Sequence, residues 1–201
     1  ISGTAINFSI NDTTFRFRNA IDDHFLSDSA LIDEIRMQTD STFNTLSDSL
    51  KADYAYKAAL QLHQMGNSRG AIDNLNSSIQ LDSLNAEYYY SRGVILFNSF
   101  EQLDSAIFDM TKTIELAPDD WRAYHNRGLY RFLLERFESA LSDSDKTIGL
   151  NPSYSESYLL RGWIKIQLNN KNGACSDFRS AKGLGNENAI LEIMENCGTA
   201  N

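Results

Sequence analysis

The side chains that could do chemistry in this chain are few, and they do not converge on one reaction. His24, His63 and His125 carry no metal-ligand spacing, so no metal is expected on them. Cys175 and Cys197 lie outside any CxxC pair and are too few for a disulfide-dense scaffold. The chain has no GxxxxGKS/T phosphate loop, no HExxH, no GxSxG elbow and no calcium loop. Gly183-Leu184-Gly185 is half of a dinucleotide fingerprint, but Asn188 stands where the third glycine belongs and a helical stretch precedes it. No nucleophile–base pair, metal cluster or cofactor cradle emerges, so the sequence reads as non-enzymatic and free of cofactor and metal. What does recur is charge: Arg92-Gly93, Arg127-Gly128 and Arg161-Gly162, with Asp109, Asp143 and Asp177. A charge that returns once per fixed interval reads as a repeated internal ion pair between two helices rather than as copies of a ligand-binding residue.

That interval organises the whole chain. Ala71, Ala106, Ala140 and Ala174 lie 35, 34 and 34 apart, and Leu81, Leu116, Leu150 and Leu184 keep the same intervals. Tyr89, Tyr124 and Tyr158 keep the phase, and Pro118 and Pro152 fall 34 apart between units. Each column suits a helix–turn–helix unit. Gly128 and Ala140, or Gly162 and Ala174, are small residues twelve apart, where two antiparallel helices approach most closely. Proline after the leucine column ends the second helix, and Asp119, Asp120 or Ser153 then supplies the cap of the next first helix. Gly93 to Ala106 is thirteen, which places one extra residue in the Asn98–Gln102 turn.

On these columns, such as Tyr124-His-Asn-Arg-Gly128, Ala140-Leu-Ser-Asp143 and Ile148-Gly-Leu-Asn-Pro152, the sequence resembles the tetratricopeptide repeat (TPR) family. The resemblance implies an all-α solenoid over 51–201, with repeats at about 52–85, 86–120, 121–154 and 155–188. Unit one departs from the pattern with Ala55, Ala59 and Asn74, and unit four lacks the proline, as terminal units do. Ala189, Ile190, Ile193 and Met194 predict a closing helix over about 187–197. Residues 1–50 stand apart from the repeat. Ile6, Phe8, Ile10, Phe15 and Phe17 alternate around Asn11-Asp12, which reads as a β-hairpin over 4–18, and a helix is expected over about 27–38.

In such a solenoid the first helices line a concave face. The resemblance implies that its lining is Tyr56, Leu60 and His63 in unit one and Tyr90, Val94, Phe97 and Asn98 in unit two. Unit three would add Arg122, His125, Leu129, Phe132 and Leu133, and unit four Leu159, Trp163 and Ile166. Asp53, Glu87 and Glu156 form an acidic edge. Family members that clamp a C-terminal carboxylate use lysine, arginine and asparagine at these positions, and here only Arg122 and Asn98 are present. The expected ligand is therefore an apolar or amphipathic protein segment, with basic residues to meet the acidic edge. The competing reading is a structural subunit of a larger cell-envelope assembly, with the groove filled by the chain's own N-terminal segment. A charged residue at Phe97 or Phe132 should abolish partner binding and leave the fold intact if these side chains line the groove.

With 27 acidic against 18 basic residues, the net charge of −9 argues against nucleic acid as the main partner. No apolar run reaches membrane-spanning length. The first residue, Ile1, points to a trimmed or processed chain in which a signal peptide cannot be sought. Cys175 and Cys197 each lie eleven residues from Asn186 in the turn before the closing helix. Antiparallel helices bring such residues side by side, so the pair could bond, although Cys175 also fits as a small core residue in the column of Ile72, Ile107 and Leu141. The C-terminal pattern Gly-Ala-Cys-Ser-Asp-Phe to Cys197 is similar to the ends of bacterial envelope repeat proteins, which implies a disulfide and a periplasmic location, with the cytoplasm as the alternative.

Overall fold

The computed structural model describes residues 7–8, 15–16 and 45–198. The remainder of the expected hairpin and the helix expected at 27–38 lie outside the described residues. Within 1–44, Asn7–Phe8 (β1) pairs antiparallel with Phe15–Arg16 (β2), in the register Asn7 to Arg16 and Phe8 to Phe15.

The chain divides into two units, Ile1–Ser91 and Arg92–Asn201. The first holds α1 (Asp48–Gln64), α2 (Ser68–Leu81) and the opening turns of α3 (Ala86–Phe100). Its core is built from small residues. Ala52, Ala55, Ala58, Ala59 and Ala71 are fully buried, which lets α1 and α2 lie close together around Leu62 and Leu75. Ser47 caps α1 by accepting from Leu50 N, and Asn67 caps α2 by accepting from Gly70 N.

The second unit continues α3 and adds α4 (Leu103–Leu116), α5 (Trp121–Leu133), α6 (Phe137–Leu150), α7 (Ser155–Gln167), α8 (Lys171–Gly183) and α9 (Asn188–Asn196). Helices α5 and α6, and α7 and α8, pair as antiparallel hairpins, and each hairpin packs on the next element in sequence. The alanine column at 106, 140 and 174 is fully buried. Opposite it, a Cβ built on Gly128 would lie 3.2 Å from Asp143 Cβ and 3.5 Å from the Ala140 carbonyl oxygen, which is why this column keeps glycine.

The turns also follow the sequence. Pro118 and Pro152 come just after α4 and α6 end. Asp120 caps α5 by accepting from Arg122 N at 3.0 Å. Ser153 does not cap α7: its N–H and hydroxyl both donate to Asn151 Oδ1, and the cap residue Tyr154 makes no side-chain capping bond. The extra residue of unit two is absorbed at the end of α3. There the closing bond from Gln102 N to Leu96 O spans six residues, whereas Arg136 N to Arg131 O and Asn170 N to Lys165 O span five. Glu101, Glu135 and Asn169 follow those three helix ends with φ of +52°, +56° and +58°, at a regular spacing that lets the chain reverse without glycine.

Candidate functional site

The recurring charges pair within the repeats. Arg92 holds Asp109 through Nε at 2.8 Å and Nη2 at 2.7 Å. Arg127 holds Asp143 at 3.0 and 2.7 Å, and Arg161 holds Asp177 at 2.9 and 2.6 Å, in the same two-pronged geometry. The three carboxylates are 1%, 3% and 4% exposed, so these acidic groups are withheld from solvent. In the third and fourth repeats a second cation joins, Arg131 on Asp143 and Lys165 on Asp177, both at 2.7 Å. The arginines also reach back to the preceding repeat: Arg127 Nη1 donates to Thr111 Oγ1 at 3.2 Å, and Arg161 Nη1 to Asp145 Oδ1 at 2.7 Å. The tyrosine column lies beside the same groups, with Arg127 and Arg161 each 5.6 Å from the ring centroids of Tyr124 and Tyr158. Burial pushes the Asp109 carboxyl above the usual carboxylate range, against the opposing pull of Arg92.

The first helices carry the residues expected to meet a partner. In the first unit Tyr56 is half-buried, with its ring 5.1 Å from Tyr88 and its hydroxyl 3.4 Å from Ser91 Oγ. Leu60, His63 and Tyr90 are half-buried too, and His63 Nδ1 lies 3.2 Å from Ser68 Oγ.

In the second unit Val94 and Phe97 are half-buried and Asn98 is exposed. The Phe97 ring packs 4.5 Å from Tyr130. Leu129 and Phe132 lean on the core cluster of Ala140, Leu160 and Ile164, and Phe132 also lies 5.8 Å from Phe137. Leu133, on the same face as Leu129 one turn on, is 46% exposed. Arg122 turns its guanidinium onto Asp120, at 3.0 Å from Nε and 2.8 Å from Nη2. Trp163 and Ile166 are half-buried. Leu159, expected on the lining, is instead core at 4% exposure, because α9 packs over the last repeat and encloses it with Ala174, Phe178, Ala181 and Ala189.

His125 sits in an aromatic nest that sequence reasoning missed. Tyr154 lies edge-on to it at 4.9 Å and packs at a tilt on Trp121 at 4.5 Å, a contact between the two ends of the third repeat signalled only by the position of Tyr154 just before α7. The imidazole Nδ1 is buried without a partner among the described residues. Burial pushes the ring's pKa down to about 4, against the pull of Glu156. Because the unfolded chain takes up that proton near the ordinary value of about 6.5, stability should fall as pH drops from there towards 4. The loss should reach up to about 3 kcal/mol. Replacing His125 with phenylalanine should flatten this part of a denaturation-versus-pH profile. An unchanged slope would place the titration elsewhere.

Cys175 and Cys197 lie at bonding distance, with Cα atoms 5.5 Å apart and 22 residues of separation. The bond joins α8 to the end of α9. Closing a loop of that length stabilises the folded state by about 3 kcal/mol on the chain-entropy model. Mass spectrometry after thiol blocking should find no alkylated cysteine in native material and two after reduction. Two labelled thiols before reduction would rule the bond out.

Among the described residues no three His, Cys, Asp or Glu side chains converge as a metal site. No described helix is long and apolar enough to cross a membrane. Helix hairpins clamped by buried Arg–Asp pairs and stacked through small-residue contacts define a helical-repeat protein.

No protein-family model and no curated protein sequence matches the chain. Solved structures do. A crystal structure of MamA is 21% identical, covering 80% of this chain and 95% of its own, with a TM-score of 0.64. A tetratricopeptide repeat protein from Parabacteroides merdae is 21% identical over 71% of this chain and 57% of its own, with a TM-score of 0.65. The first TPR of Spaghetti (RPAP3), bound to the HSP90 peptide SRMEEVD, is 28% identical over 58% of this chain and 93% of its own, with a TM-score of 0.54. The fold is the all-α tetratricopeptide repeat fold.

Proposed function

We propose that this chain is a protein-interaction scaffold, without catalytic activity of its own, that takes an apolar or amphipathic segment on the exposed face of its first helices. The observation that carries this reading is Leu133, 46% exposed on α5 one turn from half-buried Leu129. Val94, Phe97, Phe132, Trp163 and Ile166 on the same series of first helices are half-buried rather than core, and a contiguous apolar surface of this kind, unlike a single exposed leucine, supports an interaction site. The peptide held by the TPR of Spaghetti supports the use of this fold for such binding. The pairing of Arg122 with Asp120 favours an apolar ligand over a carboxylate-terminated one, since that guanidinium is already engaged. The cysteine pair at bonding distance supports the bacterial periplasm as the compartment.

Phe97 and Phe132 both pack on core side chains, so Leu133 is the cleaner probe of the face. In a pull-down read by mass spectrometry, Leu133→Glu should lose at least nine-tenths of the partner that the native chain recovers. Its helicity and melting temperature should remain those of the native chain. Full recovery of the partner by Leu133→Glu would remove this face from the binding site.

A further inference from the structure

The end of the last repeat carries a second feature of the same binding face, and its interpretation rests on the scaffold reading above. Helix α9 has nine residues, of which only Ala189 is buried. Ala189, Ile193 and Cys197 recur every fourth residue and pack on a cluster of Leu159, Ala174, Phe178 and Ala181. Trp163 and Ile166, two positions expected to meet a partner, lean on this same cluster. On its other side α9 leaves Leu191 62% and Met194 72% exposed. An isolated helix of this length is marginal in water, so α9 depends on what holds it to the last repeat: the packing of Ala189 with half-buried Ile193 and Cys197, and the Cys175–Cys197 bond. The bond from Cys197 to Cys175 closes the far end of α9, which without it is held by that packing alone.

We propose that the surface formed by α7 and α8 under α9 is a helix-binding site, and that α9 is its built-in occupant. The partner it fits is an amphipathic helix carrying a small residue, a branched apolar residue four positions on, and a small or apolar one four further on, as α9 itself does. While the disulfide is closed, α9 competes from the same chain at high effective concentration and excludes such a helix. A dithiol reductant opens the site: the Cys175–Cys197 bond becomes two thiols, and the reductant becomes a disulfide.

Two measurements on the full chain test this. In hydrogen exchange, reduction of the native protein should speed exchange of amides 188–196 at least ten-fold while α7 and α8 keep their protection. Unchanged exchange in α9, or loss of protection in α7 and α8 as well, would overturn the proposal. In the second measurement, Cys197→Ser leaves the Cys175 thiol free. The probe is a synthetic peptide of residues 186–197 whose cysteine is a mixed disulfide with thionitrobenzoate. The Cys175 thiolate attacks the peptide sulfur, the new disulfide joins chain and peptide, and thionitrobenzoate leaves as its coloured thiolate. The expected result is a chain–peptide adduct formed at least ten-fold faster than with the same peptide carrying Ile193→Asp. Equal rates for both peptides, or no adduct, would contradict it. Neither measurement uses the natural partner, so its outcome is independent of the Leu133→Glu pull-down.

Discussion

Replacing Asp143 with alanine should lower the stability of the second unit by about 3–5 kcal/mol, the effect expected when one side of a buried ion pair is removed. Asp143 is 3% exposed and accepts from two guanidiniums, Arg127 and Arg131, which the substitution would leave facing each other without a counter-charge. Arg127→Ala should cost less, about 1–3 kcal/mol, because Arg131 still neutralises the carboxylate. Asp143→Asn keeps the shape but not the charge and should fall close to the alanine variant. Denaturant unfolding orders the three variants. A loss below 1 kcal/mol for Asp143→Ala, with weakened partner binding, would mean that the column serves a ligand after all.

The pairing of these columns was legible because a 34-residue period fixes which residues share a structural position, and a buried carboxylate needs a cation from the facing helix. The second cation was legible in principle. Arg131 and Lys165 are also 34 apart, each one turn beyond Arg127 and Arg161, where a long side chain reaches the same carboxylate. Thr111 and Asp145, the acceptors in the preceding repeat, keep that spacing as well, although a threonine and an aspartate do not look like one column. The lining was less legible. Periodicity places Leu159 and Leu133 on first helices, but not how far each is covered. Coverage depends on what packs across the helix, and over Leu159 that is α9, which lies outside the repeat. The buried state of His125 likewise depends on Tyr154, at the far end of the same repeat, which only the folded helix pair brings back over the first turn of α5.

Gly162→Ala should be the most damaging of the glycine substitutions, at about 1–3 kcal/mol net of the helix propensity it gains. A Cβ at Gly162 would fall onto the Phe178 ring, within 2.6 Å of Cδ1 and 2.9 Å of Cζ, and that ring is fully buried with no room to swing away. Gly128→Ala meets Asp143 Cβ at 3.2 Å, a contact that a shift of a few tenths of an ångström relieves, and should be close to neutral. The same column therefore predicts opposite tolerances from one repeat to the next. Phe178→Leu, which shortens the ring, should recover part of the loss when combined with Gly162→Ala, so that the two changes cost less together than their sum. Strict additivity would show that the Gly162–Phe178 contact is not what limits the site. Equal losses for the two glycine variants would contradict the geometry of the last repeat.

The most direct test of the scaffold reading is site-specific photo-crosslinking of the full chain in its native cell. The benzophenone amino acid is placed at Leu133 on the first-helix face and, in a parallel protein, at Phe108, which is 56% exposed on the second helix α4. A discrete crosslinked protein is expected from position 133 and none from position 108. A crosslinked protein from position 108 with none from 133 would contradict it, since binding would then use the second helices.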